Sequence, residues 1–180
     1  MTRPLHSPRF RFLLAALLLT ATALTGVSLQ APPAHAVVFQ PLRSWWNHDR
    51  GDNFTTGTPD QEADARSGNY RSLRIEAWLW PDDGGNTRSE LYLFWHPGRQ
   101  DYFSTATRQG IDSAVSAGYE YVGVQGYVQG RYKPHTVALR QYWSADRQDN
   151  FLTATSEGIR DARAAGYTFV RVEGYVYPYP

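Results

Sequence analysis

The stretch Gln100–Ile111, QDYFSTATRQGI, returns at Gln148–Ile159 as QDNFLTATSEGI, and a looser version, GDNFTTGTPDQE, runs from Gly51 to Glu62. Working outward from these three segments, the neighbouring residues also fall into register. Leu42, Leu91 and Leu139 open the copies, and Trp46, Trp95 and Trp143 follow four residues later. Asp52, Asp101 and Asp149 come next, then Phe54, Phe103 and Phe151, then the threonine pairs Thr56/Thr58, Thr105/Thr107 and Thr153/Thr155. Tyr70, Tyr119 and Tyr167 close the matched part, preceded by Asn69, Gly118 and Gly166. Self-similarity at a fixed period marks a fold assembled from one supersecondary unit that cannot bury its apolar face alone.

Each landmark has a local physical reading. LYLFW at Leu91–Trp95 and its partners are short, aromatic-rich strands. The tracts HPGRQD, SADRQD and NHDRGD carry the Gly, Pro and Asp of tight turns, and Phe-x-Thr-x-Thr is the returning strand of a hairpin. Thr58, Thr107 and Thr155 stand as helix N-caps, with Pro59 at the first helical position and Gln61 three residues after the cap. Ile111, Ala114, Val115 and Gly118 give the stripe of a short amphipathic helix. Gly118, Gly166 and Asn69 are the residues most tolerant of the left-handed conformation that ends a helix.

The copies close with LRIEAWLW, VGVQGYVQ and VRVEGYVY, which alternate with period two. That alternation predicts one buried face, Val122, Val124, Gly126 and Val128 and their equivalents. Trp78, Tyr127 and Tyr175 would then project from the other face, either open to solvent or under the copy's own helix. Trp46, Trp95 and Trp143 read as the large core anchor of each copy. The expected fold is α+β: three pseudo-symmetric repeats of about 48 residues, each a β-hairpin, a short helix and a long strand, closing into one compact, mainly antiparallel β domain.

Residues 1–36 have the layout of a secretory signal peptide: basic Arg3, Arg9 and Arg11, an apolar run from Phe12 to Leu24, and Ala34-His35-Ala36 as a small-x-small cleavage site. The expected mature chain, 37–180, is a single domain of three repeats (42–90, 91–138, 139–180), secreted and extracellular, with no membrane contact after cleavage. Of the 18 basic and 17 acidic side chains, three arginines fall in the first 36 residues, which leaves a net charge near −2. No basic surplus points to nucleic acid. The chain has no cysteine, so packing without disulfides must hold it.

Tyr-Trp, Asp-x-Phe, Thr-x-Thr, Gly166-Tyr167 and Glu173-Gly174-Tyr175-Val176-Tyr177 resemble the repeat module of secreted bacterial and fungal proteins catalogued as domain of unknown function 5648. The resemblance covers Leu42 to Pro178. Such modules are often appended to secreted hydrolases, which implies an accessory or surface-binding part. The family pattern often has histidine after the turn aspartate, where this chain has Asn53, Tyr102 and Asn150. No histidine-based role, metal binding included, therefore carries over to these positions.

The chemistry-bearing residues are few. His48, His96 and His135 fall at three different places in the repeat. H-E-x-x-H, G-x-S-x-G, P-loop and cysteine nucleophile patterns are absent. No catalytic residue, cofactor or metal site is expected, and a hydrolase in its own right would need a carboxylate pair peculiar to one copy. The thrice-written Asp52, Asp101 and Asp149 either accept from turn amides or contact a ligand. Arg50-Gly51-Asp52 matches a cell-adhesion tripeptide but is explained by the repeat, and Asn53-Phe54-Thr55 matches a glycosylation sequon by coincidence. The expected function is a non-enzymatic binding module for a glycan or cell-envelope polymer. Trp78, Tyr127 and Tyr175 would stack on sugar rings, and Asp52, Asp101 and Asp149 would accept from sugar hydroxyls. A protein-interaction or accessory domain of a co-secreted hydrolase is the alternative.

Overall fold

The computed structural model describes residues 37–179; the expected signal peptide lies outside them. Nine strands and three short helices follow one another in these residues. They are β1 (Gln40–Asn47), β2 (Asp52–Thr56), α1 (Pro59–Ser67), β3 (Arg71–Leu79), β4 (Arg88–His96), β5 (Asp101–Thr105), α2 (Arg108–Ala117), β6 (Glu120–Gln129), β7 (Val137–Ser144), β8 (Asp149–Thr153), α3 (Ser156–Ala164) and β9 (Thr168–Val176). All pairings are antiparallel, in a three-stranded sheet of order β2-β1-β3 and a six-stranded sheet of order β5-β4-β6-β9-β7-β8. The larger sheet narrows at its middle to one register pair, Gln129 with Tyr175. Two isolated bridges, Trp78 with Tyr177 and Trp80 with Tyr127, tie β3 to β9 and β6.

The helix ends follow their local chemistry. The hydroxyls of Thr58, Thr107 and Thr155 accept from the amides of Gln61, Gly110 and Gly158. Asn69, Gly118 and Gly166 leave the helices at φ of 62°, 85° and 83°, the left-handed conformation expected of them.

The long strands depart from strict alternation. Their registers skip Leu73 and Glu76 on β3, Val122 and Gln125 on β6, and Val170 and Glu173 on β9, each a β-bulge. A bulge inserts one residue and so exchanges the two faces of the strand beyond it. Consecutive Glu76–Ala77, Gln125–Gly126 and Glu173–Gly174 are therefore all buried, while Val122 and Val170 are exposed. The single buried Val122–Val124–Gly126–Val128 face is not formed; only Gly126 and Val128 reach the interior.

The central core joins all three hairpin strands to the long strands: Leu42, Leu91 and Leu139 with Ala77, Leu79, Val128 and Val176. Three satellite cores lie beneath the helices, such as Tyr142, Phe151, Ala162 and Tyr167 under α3. Their large anchors are Trp45, Phe94 and Tyr142, at 3%, 5% and 2% exposure. That corrects the reading of Trp46, Trp95 and Trp143 as core, because each sits one residue further along its strand, on the opposite face, and is only half-buried.

Candidate functional site

The hairpin turns deliver three carboxyls to one buried point. Gly51, Gln100 and Gln148 adopt positive φ (70°, 57° and 52°) just before Asp52, Asp101 and Asp149. Each turn is clipped by a different side chain: the amides of Arg50, Arg99 and Arg147 donate to Asn47 Oδ1, His96 Nδ1 and Ser144 Oγ at 3.0, 3.0 and 3.3 Å. His96 also donates from Nε2 to the Ala117 carbonyl at 3.1 Å, so both of its ring nitrogens are used structurally. The three aspartates are 1–2% exposed, and one oxygen from each lies within 4.8 Å of the others.

Each aspartate accepts from a different hairpin. Asp149 takes the Asn53 amide at 2.9 Å and its side-chain Nδ2 at 2.7 Å. Asp101 takes the same two groups of Asn150, both at 2.8 Å. Asp52 takes only the Tyr102 amide, at 3.2 Å, since a tyrosine cannot offer the second donor. The phenols of Tyr70, Tyr119 and Tyr167 complete the set by donating to Asp52, Asp101 and Asp149.

Three buried carboxyls this close cannot all ionise cheaply. Burial, then the charges of Asp149 and Asp101, hold Asp52 well above the ordinary carboxylate range, against the Tyr70 bond. Burial, then the charge of Asp149, pushes Asp101 up to about 7, with Tyr119 and Asn150 pulling it back. Asp149 is raised by burial, opposed first by Tyr167 and then by Asn53. Burial, reinforced by the adjacent carboxyls, also raises the phenols, which stay protonated as donors. Among the described residues this hub is the group close enough to share a cation.

Clefts open outward from the hub. One, of about 220 Å³, is lined by Arg99, Phe103, Tyr119, Trp143, Asn150 and Arg171, among others. A second, of about 230 Å³, is lined by Trp46, Asn53, Arg74, Arg147, Phe151 and Tyr167, among others. In the first, the Arg99 guanidinium sits 5.5 Å from the Tyr119 ring centre and 5.6 Å from that of Trp143. In the second, Arg147 sits 5.7 Å from Trp46. Beneath the Trp143 cleft, Gln141 donates to the Tyr142 carbonyl and to Asn150 Oδ1, which fixes its amide orientation and leaves Oε1 without a donor.

The corresponding place beside Trp95 is filled. Arg50 lies 5.7 Å from Tyr70 and 6.0 Å from Trp95. The Tyr102 ring occupies the space between, stacked on Phe54 at 3.9 Å and 12° and tilted against Trp95 at 4.5 Å.

The expected site residues do not share a surface. Asp52, Asp101 and Asp149 meet in the hub, with their oxygens engaged by protein donors. Trp78, Tyr127 and Tyr175 are half-buried along the far ends of the long strands, where their backbones make the bridges between β3, β6 and β9. Tyr127 and Tyr175 line separate grooves with Arg108 of α2, and Tyr175 meets Tyr132 edge-on at 5.9 Å. None of the three lines the Trp46 or Trp143 cleft. Asp52 of the adhesion-like tripeptide is buried, and the Asn53 amide is committed to Asp149 and Tyr167. The cleft residues missed from the sequence carried a signal: Trp46, Trp95 and Trp143 recur in step with Arg50, Arg99 and Arg147.

A family model described as Domain of unknown function (DUF5648) matches residues 41–177. No curated protein and no solved structure matches the chain.

Proposed function

The chain belongs to the domain of unknown function 5648 family, and from its geometry we propose a secreted, non-enzymatic binding module for a glycan or cell-envelope polymer. The observation that carries this reading is the pair of clefts. Each presents a half-buried tryptophan beside an arginine and an asparagine, an apolar plane with polar donors at its edge. Sugar rings present the complementary surface, an apolar face rimmed by hydroxyls, and indole and phenol groups combine apolar area with a polar handle. At 220–230 Å³, each cleft is below the roughly 300–1,000 Å³ of drug-sized sites and suits about one ring. Two such contacts on one chain would gain from multivalency on a polymer.

The same reading explains the architecture as three pseudo-symmetric repeats, with clefts arising wherever the hairpin of one repeat meets the next. The carboxyls follow this order as acceptors: Asp149 accepts from the first hairpin, Asp101 from the third and Asp52 from the second. Two exposed apolar pairs, Tyr121–Val122 on β6 and Phe169–Val170 on β9, favour a second reading, a protein partner.

The test is retention of the purified protein by insoluble polysaccharides and by purified cell wall. Trp46→Ala/Trp143→Ala should lose retention while keeping its circular dichroism spectrum. Trp78→Ala/Tyr127→Ala/Tyr175→Ala should keep it. The reverse result would move the site to the strand-end aromatics, and no retention by any polymer would leave the protein-partner reading.

A further inference from the structure

Resting on the reading of the clefts as sugar sites, we propose that the Trp143 cleft selects an acidic sugar ring, a uronate whose carboxylate is taken by Arg99. The pose comes from Tyr102. In the equivalent position beside Trp95, this side chain places a six-membered ring nearly parallel to Phe54 and tilted against Trp95. In the Trp143 cleft, with Asn150 in place of a tyrosine, the Trp143 ring is only half-buried, while Phe103 is closed over by the Arg171 guanidinium 5.7 Å from its ring centre. A ring entering from solvent would lie against Trp143, beside Arg99.

The charge comes from the arginines. Among the described residues, Arg99 makes no ion pair, and its guanidinium reaches only the Tyr119 hydroxyl, at 3.3 Å. The other arginine of this cleft, Arg171, is already neutralised by Glu173 at 2.6 Å. No carboxylate lines the cleft, so one positive charge stands uncompensated at its wall. The Arg99 guanidinium lies 5.6 Å from the Trp143 ring centre, and its planar fork suits paired hydrogen bonds to a carboxylate of a ring lying on that indole.

The Trp46 cleft differs in this respect. Asp161 lines it, and its Arg74 is shared among Glu76, Glu157 and Asp161. An anion is therefore less welcome there, and the acidic ring belongs to the Trp143 cleft.

Isothermal titration of the purified protein with galacturonate, glucuronate and mannuronate trisaccharides tests this, each beside its methyl ester, which removes the charge and keeps the sugar ring. At least one free acid should bind, about 10–100-fold tighter than its ester, the range for losing a charge-assisted hydrogen bond. Arg99→Gln should abolish the difference between acid and ester, Arg99→Lys should retain part of it, and Arg147→Gln should leave it intact. Affinity for the acid should fall with added salt. Equal binding of acid and ester, lost in Trp143→Ala, would overturn the acidic preference and leave the sugar reading standing. Binding only to neutral polymers would do the same. If no saccharide binds at all, both fall together.

Discussion

Replacing Tyr102 by the asparagine found at the two matching positions should open a third cleft, at small cost to stability. The loss can be worked from its contacts. The ring makes one close stack and one tilted aromatic contact, at 3.9 and 4.5 Å. Aromatic pairs contribute about 0.5–1.5 kcal/mol each beyond area burial, and half-burying such a side chain about 1 kcal/mol more, for a loss of about 2–4 kcal/mol. The gain comes from the hub. Asn53 gives Asp149 a side-chain bond at 2.7 Å and Tyr167 another at 3.0 Å, and asparagine at 102 is placed to do the same for Asp52 and Tyr70. Two such hydrogen bonds contribute about 0.5–1.5 kcal/mol each. The variant should therefore fold, weaker by about 1 kcal/mol, with Tm lower by about 3 °C.

Two ligand-free readouts separate an opened cleft from a mere loss of packing. The Trp95 indole signal, assigned by comparison with Trp95→Phe, should shift and become accessible to a soluble quencher. The Asp52 carboxyl, followed by carbon NMR, should titrate lower than in the parent, since a new donor to the carboxylate favours its charged form. A folded Tyr102→Asn protein in which Trp95 stays shielded and Asp52 titrates as before would refute the reasoning. With a bound saccharide in hand, stoichiometry should also rise by one.

The hub makes stability fall as pH rises. The Asp101 carboxyl stands near 3.8 when unperturbed and about 7 in the fold, so the folded state holds the proton more tightly. Its contribution is full below pH 4 and is lost between pH 4 and 7, on the order of 4 kcal/mol, which urea unfolding across that range would read. Gly158→Ala should destabilise by about 2–4 kcal/mol despite a helix-propensity gain of about 1 kcal/mol. Its Cβ would lie 2.0 Å from Thr153 Oγ1, a hydroxyl that donates to Glu76 at 2.6 Å, and a rise in Tm would contradict this. Glu173→Ala should cost about 3–5 kcal/mol, because it strands a buried ion pair and several donors. Thermal unfolding beside Gln125→Ala, which removes a single side-chain bond, provides the comparison.

Much of the fold was legible because it is local. Thr107 and Gly118 bracket α2 through bonds and dihedral angles that a few adjacent residues decide, and the hairpins follow from their turn residues. The misreadings arose where a distant partner decides. Nothing adjacent to Glu76 distinguishes a bulged, buried carboxylate from an exposed strand residue. Its acceptors are wanted by Thr153 and Thr155, nearly eighty residues on. Likewise, Trp45 and Trp46 are equivalent by composition, and only the position of α1 selects which is enclosed. The aspartate hub could not be read from spacing, since three carboxyls converge only after the hairpins meet. What the sequence did carry was the residue after each aspartate, where Asn53 and Asn150 differ from Tyr102.

Divergence among the three segments is compensated in place, which supports reading them as one device. Glu76 and Glu173 each hold a helix start by accepting from a threonine hydroxyl pair and neighbouring amides. On β6 the matching residue is Gln125, which donates to the Thr55 carbonyl. The helix start it faces has changed with it. Gly57 stands where the others have Ala106 and Ala154, and a Cβ there would lie 2.1 Å from the Gln125 carbonyl oxygen. Gln61 stands where the others have Gly110 and Gly158, and its Oε1 accepts from the Gly57 amide at 2.9 Å, a role Glu173 Oε2 performs for Ala106 at 3.0 Å. Three substitutions thus preserve one hydrogen bond. The Tyr102 position is of another kind: there the second donor to the hub is given up and a cleft is filled. The helix starts keep their hydrogen bonds in all three segments, whereas the clefts differ, as expected if the former hold the fold and the latter carry the ligand.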